Sequence, residues 1–292
     1  MARPFLLDGG MGGELVRRGY DSPNIWSARA LIEAPHVVRQ VHEEFLDAGA
    51  DLITTSNYSC TPKILGRAGH GHRVRELVGR ARDLVNEARA KKGKPGTLVA
   101  GSLPPLVGTY TPELVEPVAT MREVYGEIAE TLAPGVDLII VESMTTGLEA
   151  RTAAEAAAKT GKPVWVSYIL MDSGAPTVRS GESIADAVKA LDGIAKVEAI
   201  LFNCCSPEAI TAGMARLRGA TAKKVGGYAN AFRPIPDRYE KARDGRRTLR
   251  EDVTPDAYAS AVAHWIKDGA DIIGGCCGTG PEHIRRLNAL RD

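Results

Sequence analysis

No apolar run in the 292-residue sequence approaches the roughly 18 residues that a membrane-spanning helix needs. No sign of charge dominates: 37 Lys and Arg stand against 36 Asp and Glu, a formal net charge of +1. A balanced chain offers no polybasic groove, which argues against nucleic acid or an anionic membrane as the main partner. The opening residues Met1–Asp8 hold no apolar stretch of the secretory type, so the cytoplasm is the expected compartment. The six histidines show no metal-ligand spacing on a common element, and His70-Gly71-His72 reads as solvated loop. The glycine-rich stretch from Asp8 to Gly13 lacks the G-x-G-x-x-G register of a dinucleotide loop. Cysteine is scarce, and four of the five fall in two adjacent pairs, Cys204-Cys205 and Cys276-Cys277, with Cys60 alone. Neighbouring cysteines seldom bond to each other and an odd total is a poor disulfide framework. Clustered thiols in a reducing compartment point instead to metal binding or catalysis.

What is present is an ordinary globular composition, 44% hydrophobic and 25% charged, able to bury a sizeable core. Short β-rich runs alternate with longer amphipathic ones. The pattern predicts strands over 5–8, 51–55, 97–102, 137–142, 164–169, 199–203, 224–229 and 271–275. Helical patterns follow over 36–48, 74–91, 117–132, 147–160, 183–191, 207–217, 255–267 and 281–290. In the first of these, Val37, Val38, Val41, Phe45 and Ala48 form one stripe of a 3.6-residue helix. Pro207, Pro255 and Pro281 stand where a first helical turn tolerates a missing N–H. Eight β-then-α units select an α/β fold, a (β/α)8 TIM barrel in one domain spanning residues 1–292, over a doubly wound sheet. Two connections, 9–35 and 230–254, are long enough to act as lids. The second carries Arg233, Pro234, Pro236, Arg238 and Tyr239.

Barrel enzymes keep their active sites at the C-terminal ends of the strands. Here those ends carry Asp8-Gly9-Gly10, the run from Thr54 to Tyr58, Gly101-Ser102, Glu142-Ser143, Asn203-Cys204-Cys205 and the run from Gly274 to Thr279. Cysteines on the sixth and eighth strands are separated by only one strand and can converge. Three thiolates leave a tetrahedral zinc one open position, the mark of a catalytic site. Adjacent Cys276 and Cys277 cannot both face inward from a regular strand, but Gly274, Gly275 and Gly278 allow the backbone to leave it. Either Cys204 or Cys205 completes the set, and the pattern alone leaves that choice open. Asp8 and Glu142, on the same rim, suit a substrate ammonium group. The glycines after Asp8 would let backbone N–H groups approach a substrate carboxylate. Gly278-Thr279-Gly280 also has the look of a barrel phosphate site.

Taken in order, these motifs resemble the homocysteine S-methyltransferases over nearly the whole chain. Asn203-Cys204 together with Gly274-Gly275-Cys276-Cys277-Gly278 is the specific part of the match. The resemblance implies a zinc-dependent barrel enzyme of the methyltransferase class that turns homocysteine into methionine, a step of methionine biosynthesis. It nominates Cys204, Cys276 and Cys277 as metal ligands and makes Cys205 a bystander. It places Asp8, Gly9, Thr55, Glu142 and Asn203 around homocysteine. The family's betaine-using members carry an aromatic residue after the fourth-strand acid, where this chain has Ser143, and another near Ser59. A quaternary ammonium wants such a cage. Cobalamin-dependent members carry further domains. A sulfonium donor is therefore expected, S-methylmethionine first and S-adenosylmethionine second, acting in a monomer or small homo-oligomer. An aldolase or isomerase would need a Lys or His at a strand end, and none stands there. A zinc or thiol-redox protein would leave Asp8 and Glu142 unexplained. A different thiol or a selenol acceptor keeps the same chemistry.

Overall fold

The computed structural model describes residues 3–22, 24–236 and 248–291. Its strands are β1 (Phe5–Leu6), β2 (Leu52–Thr54), β3 (Leu98–Leu103), β4 (Leu138–Met144), β5 (Val164–Tyr168), β6 (Val197–Asn203), β7 (Lys224–Ala229) and β8 (Ile272–Gly275). All are parallel, in the order β1-β8-β7-β6-β5-β4-β3-β2. A parallel bridge between Leu7 and Leu52 joins the two ends of that order and closes the barrel. The helices are α1 (Met11–Arg17), α2 (Ala28–Glu33), α3 (Pro35–Asp47), α4 (Pro62–Gly66), α5 (Val74–Lys92), α6 (Val118–Leu132), α7 (Gly147–Ala158), α8 (Ile184–Lys189), α9 (Pro207–Ala220), α10 (Pro255–Lys267) and α11 (Pro281–Leu290). The (β/α)8 barrel expected from the repeat is the fold observed.

Two apolar layers hold it. Outward residues such as Ile139, Val141, Ile200 and Phe202 pack against the helices, while Leu52, Leu138, Ile140, Trp165, Leu201 and Ile272 fill the lumen. Strand side chains alternate, so the inward series on β4 runs Leu138, Ile140, Glu142 and that on β6 runs Ala199, Leu201, Asn203. The same parity puts Ser102, Ser167 and Tyr228 inward on β3, β5 and β7. A polar layer therefore caps an apolar plug at the C-terminal mouth.

Helix starts follow the sequence. Ser206 and Thr254 accept hydrogen bonds from the amides of Ala209 and Ala257, with Pro207 and Pro255 in the first turn. The 9–35 connection, expected as loop, folds into α1 and α2. Their few turns, and the glycines opening α1, leave too short a period to read as helix. In the 230–254 connection, residues 237–247, with Arg238 and Tyr239, lie outside the described residues. Phe232 and Leu249 pair as an antiparallel bridge across it. No helix among the described residues is long and apolar enough to cross a membrane.

Candidate metal and active site

The loops after β6 and β8 bring three sulfurs together. Cys204, Cys276 and Cys277 place their Sγ atoms within 4.8 Å of one another, and the Cys204 and Cys276 sulfurs are 2.9 Å apart. Cys205, the open alternative, is buried away from this group, and burial holds its thiol above the ordinary range. Cys60 is buried elsewhere, its thiol pushed up to about 12.

The backbone turns that aim the sulfurs differ in part from those expected. Gly274 and Gly275 stay in β8. A Cβ at Gly274 would meet Leu7, and one at Gly275 would meet Thr279, so both are required by close approach. The chain leaves strand geometry further on, at Gly278 (φ +83°), and on the other strand at Cys204 itself (φ +53°). The glycines after Asp8 likewise serve packing. A Cβ at Gly9 would press on the Thr279 carbonyl and Phe45, and one at Gly10 on the Cys276 carbonyl. The Gly10 N–H, expected to be available to a carboxylate, donates to the Thr279 carbonyl (2.8 Å). The β1 loop is thus clamped onto the loop that carries two of the cysteines. Gly280, in the stretch resembling a phosphate site, abuts the paired Glu14 and Arg17 side chains of α1, which fill the space beside it.

Asp8 and Glu142 sit at the mouth, both nearly inaccessible to solvent. Asp8 accepts from the Thr54 N–H (2.8 Å) and hydroxyl (3.2 Å). Burial nevertheless pushes its carboxyl up to about 7, and nearby Glu142 adds to the rise. Glu142 accepts from the Ser102 hydroxyl (2.5 Å) and from Tyr228 (3.4 Å). It too is pushed up to about 7, by burial first and then by Cys277, against the hydrogen bond from Ser102. Two buried carboxyls with raised pKa values, and with no cationic side chain paired to either among the described residues, have the chemistry that suits a positively charged group.

The polar layer continues around the barrel. Tyr228 OH lies 2.7 Å from Ser167 Oγ, and Ser167 donates to Asn203 Oδ1 (2.8 Å). Asn203 also accepts from the Ser143 amide (2.9 Å) and donates to the Ser143 hydroxyl (2.8 Å). It thereby pins the β4 bulge, where Ser143 has φ +62°. Thr55 donates to Asn57 Oδ1 (2.5 Å) and accepts from the Ser102 amide (2.9 Å), so its hydroxyl steadies β3 from within. Ser102, Ser167 and Tyr228 received no role from the sequence, though inward parity on their strands marks all three.

The donor set fits a metal. Three sulfurs are soft ligands, and three leave a tetrahedral ion one position short. The Cys276 thiol is held well above its ordinary value, first by its hydrogen bonds to Cys204 and Cys277 and then by burial. Without a cation such a cluster keeps its protons; a cation is what allows three thiolates to coexist.

Comparison with known proteins gives a consistent result. The family model described as homocysteine S-methyltransferase matches residues 5–290. A selenocysteine methyltransferase of Astragalus bisulcatus is 30% identical, the match covering 98% of this chain and 91% of the relative. A homocysteine S-methyltransferase of Escherichia coli strain K12 is 31% identical over 98% of this chain and 94% of its own. The crystal structure of the homocysteine methyltransferase MmuM from Escherichia coli in its metallated form superimposes with a TM-score of 0.80 at 29% identity. It covers 98% of this chain and 96% of that one.

Proposed function

The chain belongs to the homocysteine S-methyltransferase family and is a methyltransferase, and on that basis we propose that it moves a methyl group from a small sulfonium donor to the thiol of homocysteine, releasing methionine. The donor assigned is S-methylmethionine first and S-adenosylmethionine second. Zinc is the metal assigned to Cys204, Cys276 and Cys277. One observation carries this reading: three cysteines from two separate strand ends converge at the rim where two buried carboxyls stand.

When bound, zinc supplies the acidity that removes the acceptor's thiol proton and leaves its sulfur nucleophilic at neutral pH. The residues of the chain do the rest. Asp8 and Glu142 bind the acceptor's ammonium group and recover in charge-assisted hydrogen bonds what burial costs them. Thr54 orients Asp8, while Ser102 and Tyr228 orient Glu142. Thr55 and Asn203 act on the acceptor through what they hold, Ser102 and Ser143, and Gly9 allows the loop bearing Asp8 to seat against the cysteine loop. A methyl carbon approached in line forms its new C–S bond as the old one breaks, and a sulfonium leaves as a neutral thioether. No side chain has to protonate it. Orientation at the mouth is then the main catalytic contribution of the barrel, worth several kcal/mol.

The sulfonium assignment is supported by the mouth itself. Ser143 and Ser59 are small and buried, so neither presents a ring to a quaternary ammonium. A selenol acceptor stands second, because the Astragalus relative is about as similar as the Escherichia coli one. The cytoplasm is the assigned compartment and residues 1–292 one barrel domain. A panel of S-methylmethionine, S-adenosylmethionine and betaine, each offered with homocysteine, tests the reaction by methionine formed. Turnover is expected with the sulfonium donors and none with betaine. Turnover with betaine and with neither sulfonium would overturn the donor assignment.

A further inference from the structure

Among the described residues, Trp26, Tyr110, Ser143 and Cys204 are the non-glycine positions with left-handed φ. Such a conformation crowds Cβ against the following carbonyl and persists only where the surroundings impose it. At Cys204 the imposing groups are visible. Its carbonyl oxygen accepts from the Tyr110 hydroxyl at 2.7 Å and from Asn230 Nδ2 at 2.8 Å. Asn230 Nδ2 also lies 3.3 Å from the Tyr110 hydroxyl, and the Asn230 amide donates to the Cys205 carbonyl (3.0 Å). The peptide following the cysteine is held from two sides.

Tyr110 reaches this point from far away. It belongs to the connection between β3 and α6, and β3 stands three strands from β6 around the barrel. The segment therefore crosses the mouth to deliver one hydroxyl. Tyr110 is itself left-handed (φ +75°) and 2% exposed. Buried Arg179 anchors it, with Nε donating to the Tyr110 carbonyl (3.3 Å) and the guanidinium carbon 5.8 Å from the ring centroid. Arg179 Nη2 donates onward to the Pro236 carbonyl (2.6 Å).

We propose that Tyr110 is a positioning residue of the thiol cluster: with Asn230 it fixes the left-handed turn at Cys204 and thereby aims that sulfur at Cys276 and Cys277. The proposal rests on the metal reading above and adds to it the device that presents one ligand. Released from its two donors, Cys204 relaxes toward negative φ. Its Cβ then swings relative to the held strand, and the sulfur leaves the cluster. Groups that orient metal ligands in this way change metal affinity about 10–100-fold when removed.

The test is a cobalt titration of the full chain, read by absorbance, with wild type and Tyr110→Phe compared. Phenylalanine keeps the ring against Arg179 and deletes only the hydroxyl. The expected result is cobalt affinity 10–100-fold weaker in Tyr110→Phe, with thiolate-to-cobalt absorbance at saturation falling toward that of two sulfurs. The metal-free variant is expected to keep a cooperative unfolding transition. Asn230→Ala, judged by the same two readouts, serves if Tyr110→Phe fails to fold. Wild-type affinity together with a wild-type band pattern in the variant overturns the positioning role, whatever happens to turnover. Absence of thiolate bands in the wild-type protein overturns the metal reading and this inference with it, so the two failures are told apart.

Discussion

Alanine at Cys204, Cys276 or Cys277 is expected to lower methyl transfer at least about 10³-fold, a barrier increase of about 4 kcal/mol. The reason lies in the acidity of thiols. A free thiol ionises near 8.5, so only a few per cent is thiolate at neutral pH. Among the described residues, the groups whose charge reaches the cluster are the Glu142 carboxyl and the phenols of Tyr58, Tyr228 and Tyr258, and none of them is a cation that would favour a thiolate in place of the metal. Removing one sulfur also opens a second coordination position to water. The fold should survive, since each change deletes one sulfur at the rim and leaves the lumen plug intact. Cys205→Ala is the matched control. That thiol is fully buried outside the cluster, and its loss should cost stability of order 1 kcal/mol with metal and turnover retained. Metal content and initial rate, measured on the four variants, check the expectation. A cluster variant that keeps full activity while lacking metal would defeat it.

The second large effect concerns the carboxyls. Asp8→Asn or Glu142→Gln keeps shape and removes charge, and either should raise KM for the acceptor about 100-fold, equivalent to about 2.7 kcal/mol. The ammonium contact exists in ground and transition states alike, so kcat should change only a few-fold. Stability should move the other way. In the folded chain the Asp8 carboxyl titrates near 7, against 3.8 for its ordinary value. The folded state thus binds that proton more tightly than the unfolded chain. The penalty for ionising it grows as pH rises above about 4 and is complete above about 7. Asp8→Asn abolishes that penalty, so it should stabilise the protein at pH 8, by at most about 4 kcal/mol at 1.36 kcal/mol per pKa unit. It should do little at pH 4. Thermal unfolding of wild type and variant at both pH values checks the sign. A variant less stable than wild type at pH 8 would show that the contacts Asp8 makes as a carboxylate, those from Thr54 among them, outweigh the cost of its burial.

Most of this architecture is legible in the residues because the βα repeat and the strand-end motifs are local. Eight apolar runs with helical stripes between them specify the barrel, and the vicinal cysteines mark the rim. The choice between Cys204 and Cys205 is not local. Both are adjacent to the strand end, and the left-handed φ at Cys204 decides it by turning one sulfur in and the other out. Ser102, Ser167 and Tyr228 were readable in principle, since each lies on the inward parity already set by the lumen residues Ala100, Trp165 and Ile272 with its neighbours. Using it requires the register between strands, which no single segment contains. Tyr110 and Asn230 could not be found this way. Their role depends on the path a connection takes across the mouth, and no periodicity encodes that. The glycine-rich start carries a second constraint that the sequence hides for a related reason. Gly9 and Gly10 are required by contact with the last loop, and a contact partner some 270 residues away leaves no trace in the local pattern.

The central claim is that sulfurs from two strands share one ion and leave room for a fourth. X-ray absorption at the zinc edge of the loaded protein counts those neighbours directly, at about 2.3 Å each. Three sulfurs in the protein alone and four after homocysteine is added is the predicted result. Two or fewer sulfurs, or a count that homocysteine does not change, would contradict it.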